Sequence, residues 1–404
     1  MATTASAVVI GGGVVGSSIA HYLAQKGLKD VVLLEKSSIA DGATGSSGAL
    51  VRMHYTDPWN TALALKSLEV FSNWGDLIGG DCGFHKTGFV VVVSKQDSDK
   101  LRNNVEMLQG VGVNTDLISL DDLKTLQPQT NIEDVGGAAY EPDSGHADGY
   151  SAATALAHRA RELGVQVRQG VRVSAIRKDG DKIIGVTTSD GDIDAPIVVL
   201  AAGAWSTPLA ATVGVDLPVG GQRLTAGAVE RPPEFGEPHM VFIDHAVGNY
   251  FRPDVGNLTL LGIRPHASAS LHVNPDERDE GVALEWQVRS LAQLANRMPA
   301  MENAGWRRSW SAVDSYSADG HMILDQSPDV QGLYVATGMS GTGFKTAPAV
   351  GMVMAELVLD GKASTVDIQP FRLSRFQENQ PIVSENEYEI PPFETPAASG
   401  VEIH

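Results

Sequence analysis

Residues 7–36, AVVIGGGVVGSSIAHYLAQKGLKDVVLLEK, decide the fold. The apolar run Ala7–Ile10 has the continuous hydrophobicity of a strand buried on both faces. Gly11, Gly13 and Gly16 follow in G-x-G-x-x-G spacing and open a segment that reads as a helix to about Lys26. Gly27 suits the left-handed cap of that helix, and Val31–Leu34 reads as a second strand. Each glycine answers a physical need: Gly11 a tight turn, Gly13 the close approach of a pyrophosphate, Gly16 the packing of helix on strand. The helix start, at Val14 and Val15, offers N–H groups and partial positive charge to that anion. Glu35 stands 19 residues after Gly16, at the carboxyl end of the second strand. There its carboxylate can accept hydrogen bonds from a ribose, and it disfavours a 2′-phosphate. The stretch predicts binding of a dinucleotide other than NADP.

A chain of 404 residues implies two or three domains and a large core. The net charge of −19 argues against nucleic acid or an anionic membrane as a partner, and it makes any cation in a cavity conspicuous. Cys82 is the single cysteine, which excludes an internal disulfide or a multi-cysteine metal site and points to the reducing cytoplasm. The N-terminus lacks a basic-then-apolar signal region, and no apolar run approaches the ~18 residues that span a membrane.

After Lys36 the loop 37–52, SSIADGATGSSGALVR, is rich in small residues; Thr44, Ser46, Ser47 and Gly48 would let backbone N–H groups lie against a flat ligand. Helices are predicted over 57–75, 98–108, 121–126 and 148–163, strands over 89–93 and 136–140, and a hairpin from 172–176 and 183–188 about Asp179-Gly180-Asp181. The buried-type strand 195–200 runs into a second small-residue turn at Ala202 and Gly203. Short strands over 225–230, 240–244, 249–252 and 258–263, then a helix over 279–296, suggest an inserted antiparallel sheet. A further buried strand over 332–336 leads into a third glycine turn bearing Gly338, Ser340, Gly341, Gly343, Phe344 and Lys345, then a helix from about Ala347 to Leu359. The acidic, proline-rich tail from Gln377 is expected to be loosely ordered or laid over a surface.

These features predict an α/β chain, α+β overall: a Rossmann-type nucleotide-binding domain (1–87, 146–216 and 314–366), an inserted substrate domain (88–145 and 217–313) and a tail (367–404). Three glycine turns after buried strands would converge where ligands bind in doubly wound folds. The last could aim its helix dipole at a group that gains negative charge, as the N1 and C2 oxygen region of a reduced flavin does. His239, His245, His266 and His272 lack metal-binding spacing, and Thr342 spoils a G-x-S-x-G elbow, so no metal site or hydrolase is predicted. Trp306 and Trp310 are expected in the core or a pocket wall.

The chain resembles the FAD-dependent D-amino acid oxidase (DAO) family, in its sarcosine oxidase and dimethylglycine dehydrogenase branch. The resemblance rests on VVIGGGVVGSSIAHYLAQKG with LLEK, DGATGSSGALVRMHY, EPDSGHADGY, VVLAAGAWS and SADGHMILDQSPDVQGLYVATGMSGTGFKTAPAVGMVMAELVLDG, in family order across most of residues 7–362. It implies FAD as cofactor and a small amine or amino acid as substrate, with O2 or another electron acceptor. Arg52 and Lys345 match positions that hold the substrate carboxylate, a role suited to a bidentate guanidinium and a point charge. Val173 matches a backbone contact to adenine, and Tyr250, with Phe251 and Arg252 beside it, falls where the family lines its substrate pocket. Ala312 stands where monomeric sarcosine oxidases carry a flavin-linking cysteine, which implies non-covalent FAD. Their oxygen-activating lysine aligns near Leu260, with Arg264 the nearest cation, so either an oxidase or a dehydrogenase fits. The implied reaction is oxidation of a C–N bond by hydride transfer to flavin N5. The alternatives are a 2-hydroxy acid dehydrogenase, or a flavin subunit with a partner chain; a homo-oligomer is a further possibility.

Overall fold

The computed structural model describes residues 3–263, 273–277 and 281–389. Arg264, His266, His272 and the start of the helix predicted from 279 lie outside the described residues.

Two large sheets organise the molecule. The first has six strands in the order Ile323–Gln326, Leu333–Thr337, Val198–Leu200, Ala7–Ile10, Val31–Leu34, Gln166–Arg168. All its pairings are parallel except that of Ile323–Gln326 with Leu333–Thr337. Its four inner strands are buried throughout because they are covered: Val14–Gln25, Gly149–Glu162 and Gly343–Asp360 join one core with the sheet. Two helices approach closely there, since a Cβ on Gly351 would lie 2.1 Å from Ser18 Oγ. The hairpin is present as Val173–Asp179 and Lys182–Thr188, turning at Gly180 (φ +58°), and joins a four-stranded sheet.

The second sheet has eight strands in the order Gly305–Ser317, Val219–Glu230, Leu258–Ile263, Asn249–Asp254, Val241–Asp244, Phe89–Val93, Gly137–Glu141, Asp116–Ile118. It is antiparallel in every pairing but one, Val241–Asp244 running parallel to Phe89–Val93. Here the structure departs from the sequence reading. Residues 305–317, GWRRSWSAVDSYS, carry no legible element in the sequence, yet form a strand paired along its length with Val219–Glu230, itself begun well before 225. Mostly half-buried side chains on both faces hide the alternation that marks a strand. The helix expected from 279 begins at Leu284 and ends at Arg297. Arg297 is fully buried and its Nε donates to Asp244 Oδ2 at 2.6 Å, tying helix to sheet.

The last glycine turn also differs. The helix starts at Gly343 rather than near Ala347, and Pro348 lies inside it. Thr342 at its N-cap makes no side-chain capping bond, its hydroxyl being turned back to donate to Met339 O at 2.6 Å. Gly343, Phe344 and Lys345 therefore form an uncapped first turn.

Candidate active site

A cavity of about 1790 Å³ runs from the carboxyl ends of the parallel strands, at Ile10, Leu34, Ala201 and Ala336, to the face of the eight-stranded sheet at Leu224, Ala226 and Ile243. It exceeds the roughly 300–1,000 Å³ of an ordinary small-ligand pocket and has room for a dinucleotide and a substrate.

At the end of the cavity beside the first strand, Gly11 and Gly16 make the tight turn and the close packing that their spacing predicts. Gly11 has φ +111°, and a Cβ on it would lie 2.4 Å from Ala201 O. A Cβ on Gly16 would lie 1.9 Å from Gly11 O. Gly13 is the N-cap of the Val14–Gln25 helix with no side-chain cap of its own, and the Val14 N–H donates to Thr44 Oγ1 at 3.1 Å. Glu35 accepts from Gly12 N at 2.7 Å and Ser37 N at 2.8 Å, which fixes its carboxylate while leaving lone pairs for a ligand. Lys36 lies 3.6 Å from the Trp205 ring centroid and 2.8 Å from Asp276, which also accepts from Trp205 Nε1 at 2.9 Å. Asp276 and Trp205 were not foreseen as site residues.

The substrate end carries two cations. Arg52 stacks over Tyr55, its Cζ 4.6 Å from the ring centroid, and donates through Nη1 to the His54 carbonyl; its Nε is buried without a partner. Lys345 is 6% exposed, donates to Gly341 O at 2.9 Å, and lies 5.9 Å from the Tyr55 ring centroid. Burial first, and then the Arg52 charge, hold its pKa well below the ordinary lysine value, while Asp314 acts in the opposite sense. Asp314 accepts from Ser315 N at 2.8 Å and Gly341 N at 3.0 Å, and burial raises its pKa. It went unremarked in the sequence, although it lies only two positions past Ala312. Tyr250 pairs with Gly262 across the sheet, and its ring covers that glycine and Gly48. Burial pushes its hydroxyl pKa up to about 12.

Among the expected cofactor residues, Gly11, Gly13, Val14, Val15, Glu35 and Lys36 line the cavity. So do Thr44, Ser46, Ser47, Gly48, Val173, Ala202 and Gly203, and, from the third turn, Ser340, Gly341, Gly343, Phe344 and Lys345. Gly16 and Gly338 do not: Gly16 packs the helix onto the first turn, and Gly338 (φ +64°) shapes the third. Arg52, Tyr250 and Ala312 line it too. Phe251 instead stacks on Phe242 in the core, and Arg252 is engaged by Gly48 O at 2.6 Å and Asp254 at 3.0 Å. Leu260 is buried in the sheet. Trp310 is half-buried and donates to Ser46 O at 3.0 Å; Trp306 packs edge-on to Trp286. Among the described residues no group of three or more His, Cys, Asp or Glu is arranged to hold a metal ion, and no helix is long and apolar enough to cross a membrane.

The chain matches the family described as FAD dependent oxidoreductase (DAO) over residues 6–357. It belongs to that family. The 4-methylaminobutanoate oxidase (formaldehyde-forming) of Paenarthrobacter nicotinovorans is 30% identical over 90% of this chain, which spans 45% of that protein's length. Sarcosine oxidase subunit beta of an Arthrobacter species is 28% identical over 92% of this chain and 90% of its own. Among solved structures, L-proline dehydrogenase from P. horikoshii superposes with a TM-score of 0.86 and 27% identity, covering 94% of this chain and 100% of the other. The protein is thus an FAD-dependent oxidoreductase. Its residues fit the cofactor: the two Cβ-excluding glycines, the side-chain-free helix start at Gly13 and the fixed Glu35 carboxylate form a cradle for a dinucleotide.

Proposed function

We propose that the protein oxidises the C–N bond of a small amino acid or N-methyl amino acid of the sarcosine, glycine or dimethylglycine type. The observation that carries the reading is the pairing of Arg52 and Lys345 in an aromatic pocket beside the uncapped first turn of the Gly343–Asp360 helix. In a chain of net charge −19, a buried lysine and a half-buried arginine at one end of a cavity are suited to an anionic ligand. When bound, FAD supplies the acceptor for a hydride from the carbon beside a neutral amine, leaving an imine that water hydrolyses.

The chain's own residues then have separable tasks. Gly11, Gly13 and Glu35 hold the nucleotide half, with Lys36 and Val173 beside it. Arg52 and Lys345 hold the substrate carboxylate, Arg52 through the guanidinium fork and Lys345 as a charge whose desolvation a carboxylate offsets. The helix start at Gly343 directs partial positive charge into the cavity, where negative charge develops on reduction. Tyr250 and Tyr55 exclude water around the reacting carbon. With Ala312 at the cavity wall and Cys82 away from it, we take FAD to be held without a covalent bond. O2 or another acceptor would reoxidise it. We place the enzyme in the reducing cytoplasm, as a homo-oligomer or with a partner subunit, the latter in keeping with its likeness to a sarcosine oxidase subunit.

The test is to compare an N-methyl amino acid with the neutral amine that lacks its carboxylate, in wild type and Lys345→Met. Losing a charge-assisted bond worth about 1.5–3 kcal/mol should lower kcat/KM for the carboxylated substrate by roughly 10- to 150-fold and leave the neutral amine little changed. Equal loss on both would remove Lys345 from carboxylate recognition.

A further inference from the structure

The last described stretch, residues 380–389, runs from the Asp319 loop to the Ser98–Val111 helix and lines the cavity near Arg52. At its start Gln380 N donates to Arg375 O at 2.8 Å, and Ile382 N donates to Asp319 Oδ2 at 3.1 Å. Ser384 Oγ then donates to Thr56 O at 2.6 Å, in the segment that carries Arg52. On the far side Asn104 Nδ2 donates to Asn386 O at 3.0 Å, Lys100 Nζ donates to Glu387 O at 2.9 Å, and Glu389 N donates to Asp97 Oδ2 at 3.1 Å. Asp97 and Asn104 are each 1% exposed, so the strap ends in sockets buried beneath it.

Between these anchors Tyr388 turns inward and is 6% exposed. Its hydroxyl lies 2.8 Å from His54 Nε2, its ring stacks over the His54 imidazole at 5.9 Å between centroids, and it meets His245 edge-on at 4.4 Å. Burial and the Arg52 charge lower the His54 pKa to about 3, so this imidazole is neutral at working pH. The His54 carbonyl in turn accepts from Arg52. Tyr388 lines the cavity with Leu50, Ile243 and Tyr250, and joins them in one hydrophobic cluster.

From this geometry we infer that Tyr388 is a specificity-determining residue: its ring, held in place by the strap, is the wall beside Arg52 that limits how large a group a bound carboxylate ligand can carry. The inference rests on the reading that Arg52 and Lys345 hold a carboxylate. An aromatic wall whose backbone is anchored to the Thr56 and Asp319 loops on one side and to Asp97 and the Ser98–Val111 helix on the other cannot yield to a bulky ligand without breaking several hydrogen bonds. A smaller residue at 388 opens room toward His54 and His245.

The experiment uses FAD-loaded protein titrated with acetate, butyrate and benzoate, followed by the visible spectrum of the flavin, so that no turnover is needed. Removing the ring in Tyr388→Ala should raise the affinity for benzoate relative to acetate by about tenfold, the scale on which pocket size discriminates. Tyr388→Phe, which keeps the ring, should leave the ratio unchanged. Asn104→Ala, which loosens the strap outside the cavity, should move the ratio in the direction of Tyr388→Ala and keeps the test open should that variant not fold. An unchanged ratio in both Tyr388→Ala and Asn104→Ala, or a shift in Tyr388→Phe as large as in Tyr388→Ala, would overturn the inference. Spectral silence with all three acids in wild type and every variant would overturn the carboxylate reading, and the wall with it.

Discussion

At the Lys345 ammonium, burial and the neighbouring Arg52 both disfavour the charged form, and Asp314 favours it. Below its lowered pKa the side chain is charged and attracts a carboxylate; above it the attraction is lost. Binding of a carboxylate ligand should therefore weaken as pH rises through a value well below the lysine norm of about 10.4, and the limb should be absent in Lys345→Met. Asp314→Asn removes the charge that favours the ammonium, so the limb should move to lower pH. A ligand titration at several pH values reads both effects, and a limb that Asp314→Asn leaves in place would contradict the balance described. Arg52 and Lys345 were legible because each sits in a motif. Asp314 was not, because an aspartate in a half-buried strand has no periodic signature until the fold brings it to Gly341.

At the level of elements, the first βαβ unit carries the clearest message in the chain. Its glycines are irreplaceable for steric reasons that spacing alone announces. Gly16→Val would drive a side chain into the Gly11 carbonyl, and protein purified from that variant should lack bound flavin or fail to accumulate. On the same helix His21 is fully buried with both ring nitrogens unpartnered, and burial, with a smaller contribution from Arg159, lowers its pKa to about 4. The unfolded chain takes up this proton near the ordinary value of about 6.5, so the stability His21 contributes is complete above that pH and is lost as pH falls toward 4. Relative to wild type, His21→Leu should gain up to about 1.4 kcal/mol for each pH unit over that window, as read by chemical denaturation. A stability difference that does not vary with pH would place the imidazole in a wetter setting than the structure shows. Elements with a clean period were readable, the Gly149–Glu162 helix among them. The Gly305–Ser317 strand was not, since its partner across the sheet, rather than its own pattern, makes it a strand.

For the molecule as a whole, the cavity exists because two sheets and a returning tail enclose it. The nucleotide half was legible as soon as three glycine turns were seen to follow buried strands, since topology alone brings such turns together. The tail was not, because a polar, proline-rich segment reads as surface and the inward placement of its buried Tyr388 is set by partners far away in sequence. A cofactor held across this cavity should stabilise the fold by mass action: FAD at about 100 times its Kd should add about 2.7 kcal/mol, visible as a rise in Tm on reconstitution. The central claim, that this cavity oxidises an amine carrying a carboxylate, is tested most directly by the visible spectrum of the FAD-loaded protein under anaerobic conditions, before and after adding sarcosine, dimethylglycine, glycine and a panel of amino acids. The account predicts that at least one of these bleaches the flavin band and that 2-hydroxy acids do not; readmitting air then reports whether O2 serves as acceptor. A flavin band untouched by every amine and bleached by a 2-hydroxy acid would contradict it.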